Sequence, residues 1–272
     1  MYFCLFDSYT YQPKYAREAE LVSLRLADLG IVDEKARASA LRPIEILIKE
    51  ILFRRNCENL IAVGNDRTAN LVINEIIRSR RNITFGFIPI GPSRIGEICG
   101  IPEGAEACKV IAARRIKTID LGRLDHMFFM SELEIKPENP KSNSLLVNIL
   151  SKFFAQKNLP AELEFNGISA KAKIKKIIIA NILSEKSKLE IQKYGNNFQA
   201  VSADDGMLDI FLITSEAQSP SSVSNFKTSE VNIKVSGTAS SEVDFQKKNR
   251  FFKEVGIKPK ALNIIVGKNR SF

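Results

Sequence analysis

A short stretch of the sequence, IAVGNDRTAN at residues 61–70, combines residue types that could bind an anion. Apolar residues lead into Gly64, a polar turn follows, and apolar residues then recur at helical spacing. Backbone N–H groups at a helix start can hold phosphate oxygens, and glycine lets a ligand approach the backbone closely. Asp66 could orient a hydroxyl group or a magnesium-bound water, and Thr68 could donate to a phosphate. The structural alternative is an ordinary turn with Asn65 or Asp66 as the helix cap.

A second polar turn, Gly91-Pro92-Ser93, follows another apolar run at residues 83–88. In an open α/β sheet, ligands bind at the carboxyl ends of the strands, and both turns are predicted to lie at such ends. The sequence contains neither GxxxxGK[ST] nor GxGxxG, which excludes a P-loop enzyme and disfavours a dinucleotide site of the Rossmann type. The two turns together therefore indicate a phosphate-binding edge of another kind.

The elements that must position these turns follow from hydrophobic periodicity. Short apolar runs alternate with amphipathic stretches across residues 1–122, which predicts an α/β domain of three layers with a mostly parallel sheet. We expect strands at residues 2–6, 60–63, 83–88 and 116–121. Helices are expected between Tyr15 and Gly30, after Pro43, from Ala69 onward, and around Cys108.

The character of the sequence changes after Gly122. Asn, Gly, Ser and Asp turns separate short apolar runs, which is typical of an antiparallel sheet, and we predict a β-rich domain over residues 123–272. Strands are expected at residues 161–165, 176–183, 207–213, 231–235 and 261–266. Residues 215–224 indicate a polar loop, whereas residues 145–154 fit a helix and a strand equally well.

The composition excludes several classes of protein. The chain has 272 residues, of which 44% are hydrophobic, so it can bury a substantial core. Its four cysteines form no CxxC pair and His126 is the only histidine, which argues against a zinc site. No apolar run approaches the ~20 residues of a membrane span, and the N-terminus lacks the basic region of a signal peptide. We therefore expect a cytoplasmic protein with reduced cysteines.

The formal net charge of +9 is concentrated in clusters at residues 78–81, 171–176 and 247–250. Such clusters can attract phosphorylated ligands or an anionic membrane surface, or they can be ordinary solvated faces. None is interleaved with aromatic residues, so nucleic acid is not an expected partner.

Several segments, in the correct order between residues 58 and 267, resemble the diacylglycerol kinase catalytic-domain family. This family is the lipid-kinase branch of a superfamily that includes the NAD kinases. The family's GGDGT turn corresponds to GNDRT at residues 64–68, and its second glycine loop to residues 89–102. Its V-D-L-G, A-x-x-D-D-G-x-L-D-V, D-G-E and P-x-A-L-x-V-x-V segments correspond to residues 119–122, 203–210, 244–246 and 259–266. The chain is thus identified as a divergent member.

The resemblance implies an N-terminal α/β domain, a C-terminal antiparallel domain like a β-sandwich, and a nucleotide cleft between them. The implied activity is transfer of the γ-phosphoryl group of ATP to a lipid hydroxyl, with Mg²⁺ bridging the phosphates. By resemblance, Asp66 and Asp244 are the catalytic residues, with Asp244 as the base. The same resemblance makes Gly64, Asn65, Arg67, Thr68, Gly91, Pro92 and Ser93 the nucleotide-binding residues and Asp204, Asp205 and Asp209 the metal ligands.

The expected partners are ATP and a lipid at an anionic membrane surface, which would hold the protein peripherally at the inner membrane face. Association into a homodimer is left open. The three aspartates between residues 204 and 209 have a simpler interpretation, a solvated turn that enters a strand.

The departures from the family pattern keep three hypotheses open. Asn65 and Arg67 replace glycines, and Arg67 could either clamp a phosphate or fill the pocket. The second loop is one residue shorter, and Phe245 and Gln246 replace a Gly-Glu pair. The chain is an active lipid kinase, a kinase of a soluble substrate that resembles NAD kinase, or a non-catalytic protein that binds nucleotide or lipid.

Overall fold

A computed structural model describes residues 1–31, 33–54, 56–138, 158–194, 201–214, 223–248 and 252–272. The ambiguous segment at residues 145–154 and most of the polar loop predicted at residues 215–224 lie outside these ranges. The chain divides into two compact units. The first comprises Met1–Leu121, Ala203–Asp205 and Lys258–Phe272, and the second comprises Gly122–Ser202 and Gly206–Ile257.

The first unit contains the predicted parallel sheet. Its strands are β1 (Tyr2–Phe6), β2 (Glu34–Arg37), β3 (Asn59–Gly64), β4 (Thr84–Pro89), the first part of β5 (Ile116–Leu124), and the last part of β15 (Glu254–Ile265). Within it β2, β1, β3, β4 and β15 are neighbours in that order, and each adjacent pair is parallel. The register sets Phe6 opposite Val63 and Gly64 opposite Pro89, so the carboxyl ends of β1, β3 and β4 lie side by side.

The helices of the first unit are α1 (Ala16–Asp28), α2 (Ile44–Phe53), α3 (Asp66–Ser79), α4 (Arg94–Cys99) and α5 (Ala107–Ala113). The predicted periodicity is confirmed in α1, where Ala19, Val22 and Leu26 are buried on one face. Pro43 immediately precedes α2, as expected, because its fixed φ suits the start of a helix. Of these five helices, only α4 is not predicted from the sequence, since six residues are too few for apolar residues to recur at helical spacing.

The second unit contains antiparallel strands, and those predicted at residues 161–165, 176–183, 207–213 and 231–235 are among them. They are β6 (Met127–Phe129), β7 (Glu132–Pro137), β8 (Leu159–Phe165), β9 (Ile168–Ala180), β10 (Leu208–Thr214), β11 (Val223–Thr228), β12 (Glu230–Val235), β13 (Ala239–Val243) and β14 (Gln246–Lys248). A helix, α6 (Glu185–Lys193), follows β9. The longest hairpin, β8–β9, turns at Asn166-Gly167, and both residues have the positive φ that such a turn requires. Apolar side chains from these strands form a large buried core, and Ile178, Phe211 and Val223 belong to a separate, smaller one.

Strand β15 corrects one part of the predicted organisation. The sequence pattern predicts that the strand at residues 261–266 belongs to the β-rich domain, but Ile264 pairs in parallel with Phe85 of β4. The start of the same strand pairs antiparallel with β12, where Val255 is opposite Val231. The run Leu262–Val266 is mostly buried and apolar, which suits a strand of a covered parallel sheet. Residues 203–205 and 258–272 therefore belong to the first unit instead of the second.

The four cysteines are buried, and no disulfide joins them. Burial raises the pKa of the Cys4 thiol, and it raises the pKa values of Cys57 and Cys108 to about 11. These side chains therefore act as small apolar core residues and not as reactive thiolates. Among the helices of the described ranges, none is both long enough and apolar enough to cross a membrane.

Candidate functional site

The turns that follow β1, β3 and β4 are joined by hydrogen bonds at the carboxyl edge of the parallel sheet. The Thr68 hydroxyl donates to Asp7 Oδ2 over 2.5 Å, and Asp7 Oδ1 accepts the Tyr9 N–H over 3.2 Å. The backbone N–H of Ile90 donates to the Gly64 carbonyl over 2.8 Å. Asp7 was given no role from the sequence, because the turn after β1 does not match the family pattern. The contact with Thr68 is visible only when the strands are paired.

Asn65 begins helix α3 as its cap. Its side-chain oxygen accepts the Thr68 N–H over 3.2 Å, and Thr68 Oγ1 accepts the Asn65 N–H over 3.3 Å. This reciprocal pair is a capping box, and it confirms the alternative in which Asn65 is a helix cap. The φ of Asn65 is −109°, so the position does not need the glycine of the family turn.

Gly64 is required by packing inside the turn. A Cβ atom at this position would lie 2.4 Å from Thr68 Oγ1 and 2.8 Å from Thr68 Cβ. Thr68 is completely buried, so its side chain cannot move aside to make room. The single glycine retained in this turn therefore lets the first turn of α3 pack on the end of β3.

The Asp66 carboxylate connects the two turns predicted from the sequence. Its Oδ1 accepts a hydrogen bond from the Ser93 hydroxyl and another, of 3.3 Å, from the Ile95 N–H. Its Oδ2 accepts the Arg94 N–H over 3.1 Å. Ser93 in turn caps α4, because its Oγ accepts the Gly96 N–H over 2.9 Å. The N–H groups at the start of α4 therefore donate to the Asp66 carboxylate. A phosphate bound at this place would have to displace that carboxylate.

The remaining residues of the two turns lie at the surface of this edge. The Arg67 side chain is 71% exposed and lies 3.8 Å from Glu45, near the start of α2. In this position it does not fill the turn. Gly91 has a φ of +79°, which favours glycine, and a Cβ atom there would lie 3.1 Å from the Tyr15 ring. Pro92 is exposed beside it.

Asp244 lies in the second unit, in the turn between β13 and β14. Its Oδ2 accepts the Met130 N–H over 2.8 Å and its Oδ1 accepts the Ser131 N–H over 2.7 Å. The side chain is 0% exposed. Asp244 and Phe245 both have positive φ, 43° and 67°, and the family pattern has a glycine where this chain has Phe245. A bulky residue in that conformation is strained, so the surrounding contacts must hold the turn in place.

Burial raises the pKa of Asp244 to about 7, although hydrogen bonds from the backbone of Met130, Ser131 and Glu132 act in the opposite direction. The neighbouring Glu132 carboxyl adds to the increase because two negative charges would repel. A carboxyl group with a pKa near neutral can both hold and accept a proton under physiological conditions. The pKa of Asp244 therefore suits a general base, but its complete burial keeps the carboxyl group out of reach of solvent.

Glu132 is a buried carboxyl group that no sequence motif identifies. Its Oε1 accepts hydrogen bonds from the hydroxyls of Ser184, over 3.0 Å, and Ser187, over 2.8 Å. Burial raises its pKa as well. Ser184 and Ser187 belong to the start of α6, so Glu132 ties that helix to β7. The only signal in the sequence is the run SELEI at residues 131–135, where two glutamates interrupt an apolar strand.

The three aspartates proposed as metal ligands differ in their surroundings. Asp204 and Asp205 are exposed in the first unit, whereas Asp209 is buried in β10 of the second unit and lies 3.5 Å from Lys227. Within the described residues, no three His, Cys, Asp or Glu side chains are grouped closely enough to share a metal ion. Mg²⁺ bound together with nucleotide phosphates needs only one or two carboxylates, and Asp204 and Asp205 have the exposure for that role. The magnesium site stays a prediction.

Neither a family model nor a curated protein matches the sequence. Many solved structures match the fold. Three of them are of proteins from Bacillus anthracis str. Sterne that are described as diacylglycerol kinases, two of them by assignment only. One is 15% identical, with a TM-score of 0.76, and the match covers 98% of this chain and 97% of the other. The other two are 16% identical, with TM-scores of 0.74 and 0.73 and the same coverage. The chain therefore has the diacylglycerol kinase fold that the sequence resemblance implies, at an identity low enough that the likeness establishes the fold alone.

Proposed function

We propose that this chain is an ATP-dependent kinase that transfers the γ-phosphoryl group to a lipid hydroxyl, such as that of diacylglycerol. The observation that carries the proposal is the Asp66 carboxylate, which joins the turns after β3 and β4 at the edge where an α/β sheet binds ligands. The fold of nearly the whole chain supports the same class of reaction, because the matching structures are described as kinases.

In this proposal the chain acts mainly by positioning the reactants, as phosphoryl transfer requires. The helix starts at Asp66 and Arg94 offer N–H groups to the phosphates once the Asp66 carboxylate moves from α4. Mg²⁺, when bound, would neutralise phosphate charge, with Asp204 and Asp205 as its candidate ligands. The acceptor oxygen forms a bond to the γ-phosphorus while the bond from that phosphorus to the ADP oxygen breaks. The hydroxyl proton passes to Asp244, which must become accessible for this step.

A second candidate function is binding of nucleotide or lipid without catalysis. It is favoured by the complete burial of Asp244, whose two oxygens both accept backbone hydrogen bonds. The Asp66 carboxylate is likewise used inside the protein. If Asp66 and Asp244 keep these hydrogen bonds when ligands bind, the chain has no accessible base. The turn after β4 then has no free N–H groups to donate to a phosphate.

One reaction separates these functions. The purified protein is incubated with Mg²⁺, ATP labelled in the γ-phosphate, a mixed lipid extract and NAD, and the organic and aqueous phases are then separated. We expect label in the organic phase. Label on a soluble acceptor would instead support a kinase that resembles NAD kinase, and ATP binding without transfer to either phase would support the non-catalytic function.

Matched variants show whether the label comes from this site. Asp66→Asn and Asp244→Asn remove one charge each and keep the side-chain shape, and both should abolish transfer. Asp28→Asn removes the same charge at an exposed position of α1, and it should transfer normally. Full transfer by Asp66→Asn would contradict the proposed site, and circular dichroism would establish that each variant is folded.

A further inference from the structure

Helix α2 of the first unit exposes apolar side chains on its outer side. Phe53, the last residue of α2, is 91% exposed, and Ile46, seven residues earlier, is 47% exposed. Seven residues are close to two helical turns, so both side chains lie on one side of the helix, about 10 Å apart along its axis. Leu41, which shortly precedes the helix, is 97% exposed. We call Leu41, Ile46 and Phe53 the α2 face.

The α2 face is additional to the apolar side that the helix buries. A surface helix normally has one apolar stripe toward the core and a polar outer side. In α2 every residue is apolar except Glu45, Lys49 and Glu50. The core already takes five of the apolar side chains, those of Ile44, Leu47, Ile48, Ile51 and Leu52. Apolar side chains that are grouped on the exposed side of such a helix indicate an interaction surface.

The surroundings of the α2 face have a net positive charge. Phe53, Glu75 and Arg78 line one groove of about 580 Å³, so the end of α3 borders the face. Residues 42–54 and 75–81 together carry six cationic side chains and three carboxylates, a net charge of +3. This sum includes ion pairs, such as the one between Arg78 and Glu75 over 2.5 Å. Exposed apolar side chains within a net positive surface match the interfacial region of an anionic membrane.

Helix α1 also exposes apolar side chains, but its net charge has the opposite sign. Leu21 is 44% exposed and Leu24 is 58% exposed. Residues 16–28 carry two arginines and three carboxylates, a net charge of −1. The chain passes from β1 to β2 in one direction and from β2 back to β3 in the other. Because such connections are right-handed, α1 and α2 lie on opposite faces of the sheet, and α1 is the natural control for the α2 face.

We propose that the α2 face docks the protein on an anionic membrane surface, with Ile46 and Phe53 inserted among the lipids. A second copy of this chain fits less well, because two-fold pairing of the face with itself would bring two net positive surfaces together. The start of α2 lies beside the candidate site, since Glu45 is 3.8 Å from Arg67 in the turn after β3. The choice of a lipid surface rests on the proposed function, in which the phosphoryl acceptor is a lipid.

Tryptophan fluorescence tests insertion of the α2 face directly. The chain contains no tryptophan, so Phe53→Trp introduces a single probe on this face and Leu24→Trp a matched probe on α1. Each protein is titrated with phosphatidylglycerol or phosphatidylcholine vesicles without ATP or Mg²⁺. With phosphatidylglycerol only, the emission of Phe53→Trp should move to shorter wavelength and be quenched by brominated lipid, while that of Leu24→Trp stays unchanged. No change in Phe53→Trp, or equal changes in both proteins, would overturn the proposal.

Vesicle sedimentation measures how far docking depends on the α2 face. Ile46→Ser/Phe53→Ser should bind phosphatidylglycerol vesicles about tenfold more weakly than the wild type, or worse, since two apolar side chains no longer leave water. Leu21→Ser/Leu24→Ser should bind as the wild type does. Equal binding by the two variants would overturn the proposal. So would loss of a dimer in Ile46→Ser/Phe53→Ser with unchanged vesicle binding, which would assign the face to a second copy of the chain.

Two forms of the acceptor separate docking from catalysis. A short-chain diacylglycerol dissolved in water needs no membrane, so Ile46→Ser/Phe53→Ser should phosphorylate it at the wild-type rate. On diacylglycerol in phosphatidylglycerol vesicles the same variant should be slower than the wild type, and equal rates there would contradict docking through this face. If the wild type phosphorylates neither form, the proposed function fails, whereas the fluorescence and sedimentation results still decide whether the α2 face binds the membrane.

Discussion

Asp66 and Asp244 are both carboxyl groups that accept hydrogen bonds from at least two backbone N–H groups, yet their environments differ. Asp66 is the first residue of α3, its carboxylate contacts the start of α4, and it is only partly buried and accepts a further bond from the Ser93 hydroxyl. Asp244 lies in a hairpin turn, is completely buried, and has a pKa raised to about 7. Hydration, and not the number of hydrogen bonds, separates the two groups. On the proposed function, Asp66 positions charge and Asp244 exchanges a proton, and four predictions test this contrast.

The largest expected effect is on phosphoryl transfer. If Asp244 accepts the substrate proton, Asp244→Asn should lower the rate of transfer by roughly 10²–10⁴-fold, the usual contribution of a general base. The rate is measured at saturating ATP with labelled γ-phosphate. A variant that keeps its fold and its rate would show that Asp244 is a structural residue.

The second effect is on stability. Asp244→Ala leaves the buried N–H groups of Met130 and Ser131 without acceptors, which should lower the free energy of unfolding by about 2–5 kcal/mol. Urea denaturation measures this change. Asp244→Asn is the matched control, because its amide oxygen still accepts one hydrogen bond, and its loss should be smaller. Equal losses in the two variants would mean that the hydrogen bonds are not the cause.

The third effect is a dependence of stability on pH. The pKa of Asp244 is about 7 in the folded chain and 3.8 when unperturbed. As pH rises between these values, the unfolded chain releases the proton while the folded chain keeps it, so the free energy of unfolding falls. Above about pH 7 the Asp244 contribution is constant. From pH 5 to pH 7 the wild type should lose about 2 kcal/mol relative to Asp244→Asn.

Urea denaturation of both proteins at each pH checks the size and the sign of this difference. The subtraction is needed because burial raises the pKa of Glu132 too, which changes stability in the same direction. A wild type that gains stability over this range, relative to the variant, would contradict the burial of Asp244 as an uncharged group.

The smallest effect is expected for Asp66, the partly buried carboxylate of the two. Asp66→Ala removes an acceptor from the first N–H groups of α4, and the loss should resemble that of a helix cap, about 1 kcal/mol. Ser93→Ala provides the matched control, since Ser93 caps the same helix from its own position. Thermal denaturation of both variants measures the effect. If Asp66→Ala lowered the free energy of unfolding by more than about 3 kcal/mol, Asp66 would be as important for stability as a buried core group. The contrast with Asp244 would then be lost.

Much of the fold follows from the sequence because buried strands and helix faces have clear patterns. The runs at β1, β3 and β4 are nearly all buried and were predicted within two residues of their bounds. In contrast, β2 has the sequence EKAR, and its residues alternate between half-buried and exposed at the edge of the sheet. Its polar residues contain no apolar signal, and only pairing with β1 makes it a strand.

The candidate site was less predictable because its contacts join distant parts of the chain. The resemblance identified Asp66 and Ser93 separately, but their hydrogen bond depends on the parallel pairing of β3 with β4. Asp7 and Glu132 have no motif, and their roles come from neighbours 61 and 52 residues away along the chain. The nucleotide and metal roles of the predicted residues stay predictions.

Strand β15 has a consequence for synthesis of the protein on the ribosome. The second neighbour of β4 in the parallel sheet, β15, is made only after residues 90–253. At about 5–20 residues per second, β4 therefore waits on the order of ten to thirty seconds for its neighbour. During that interval the nascent chain has an unpaired strand edge, which is a site for wrong pairing or for a chaperone. Cotranslational folding of this first unit is thus limited by translation of the second.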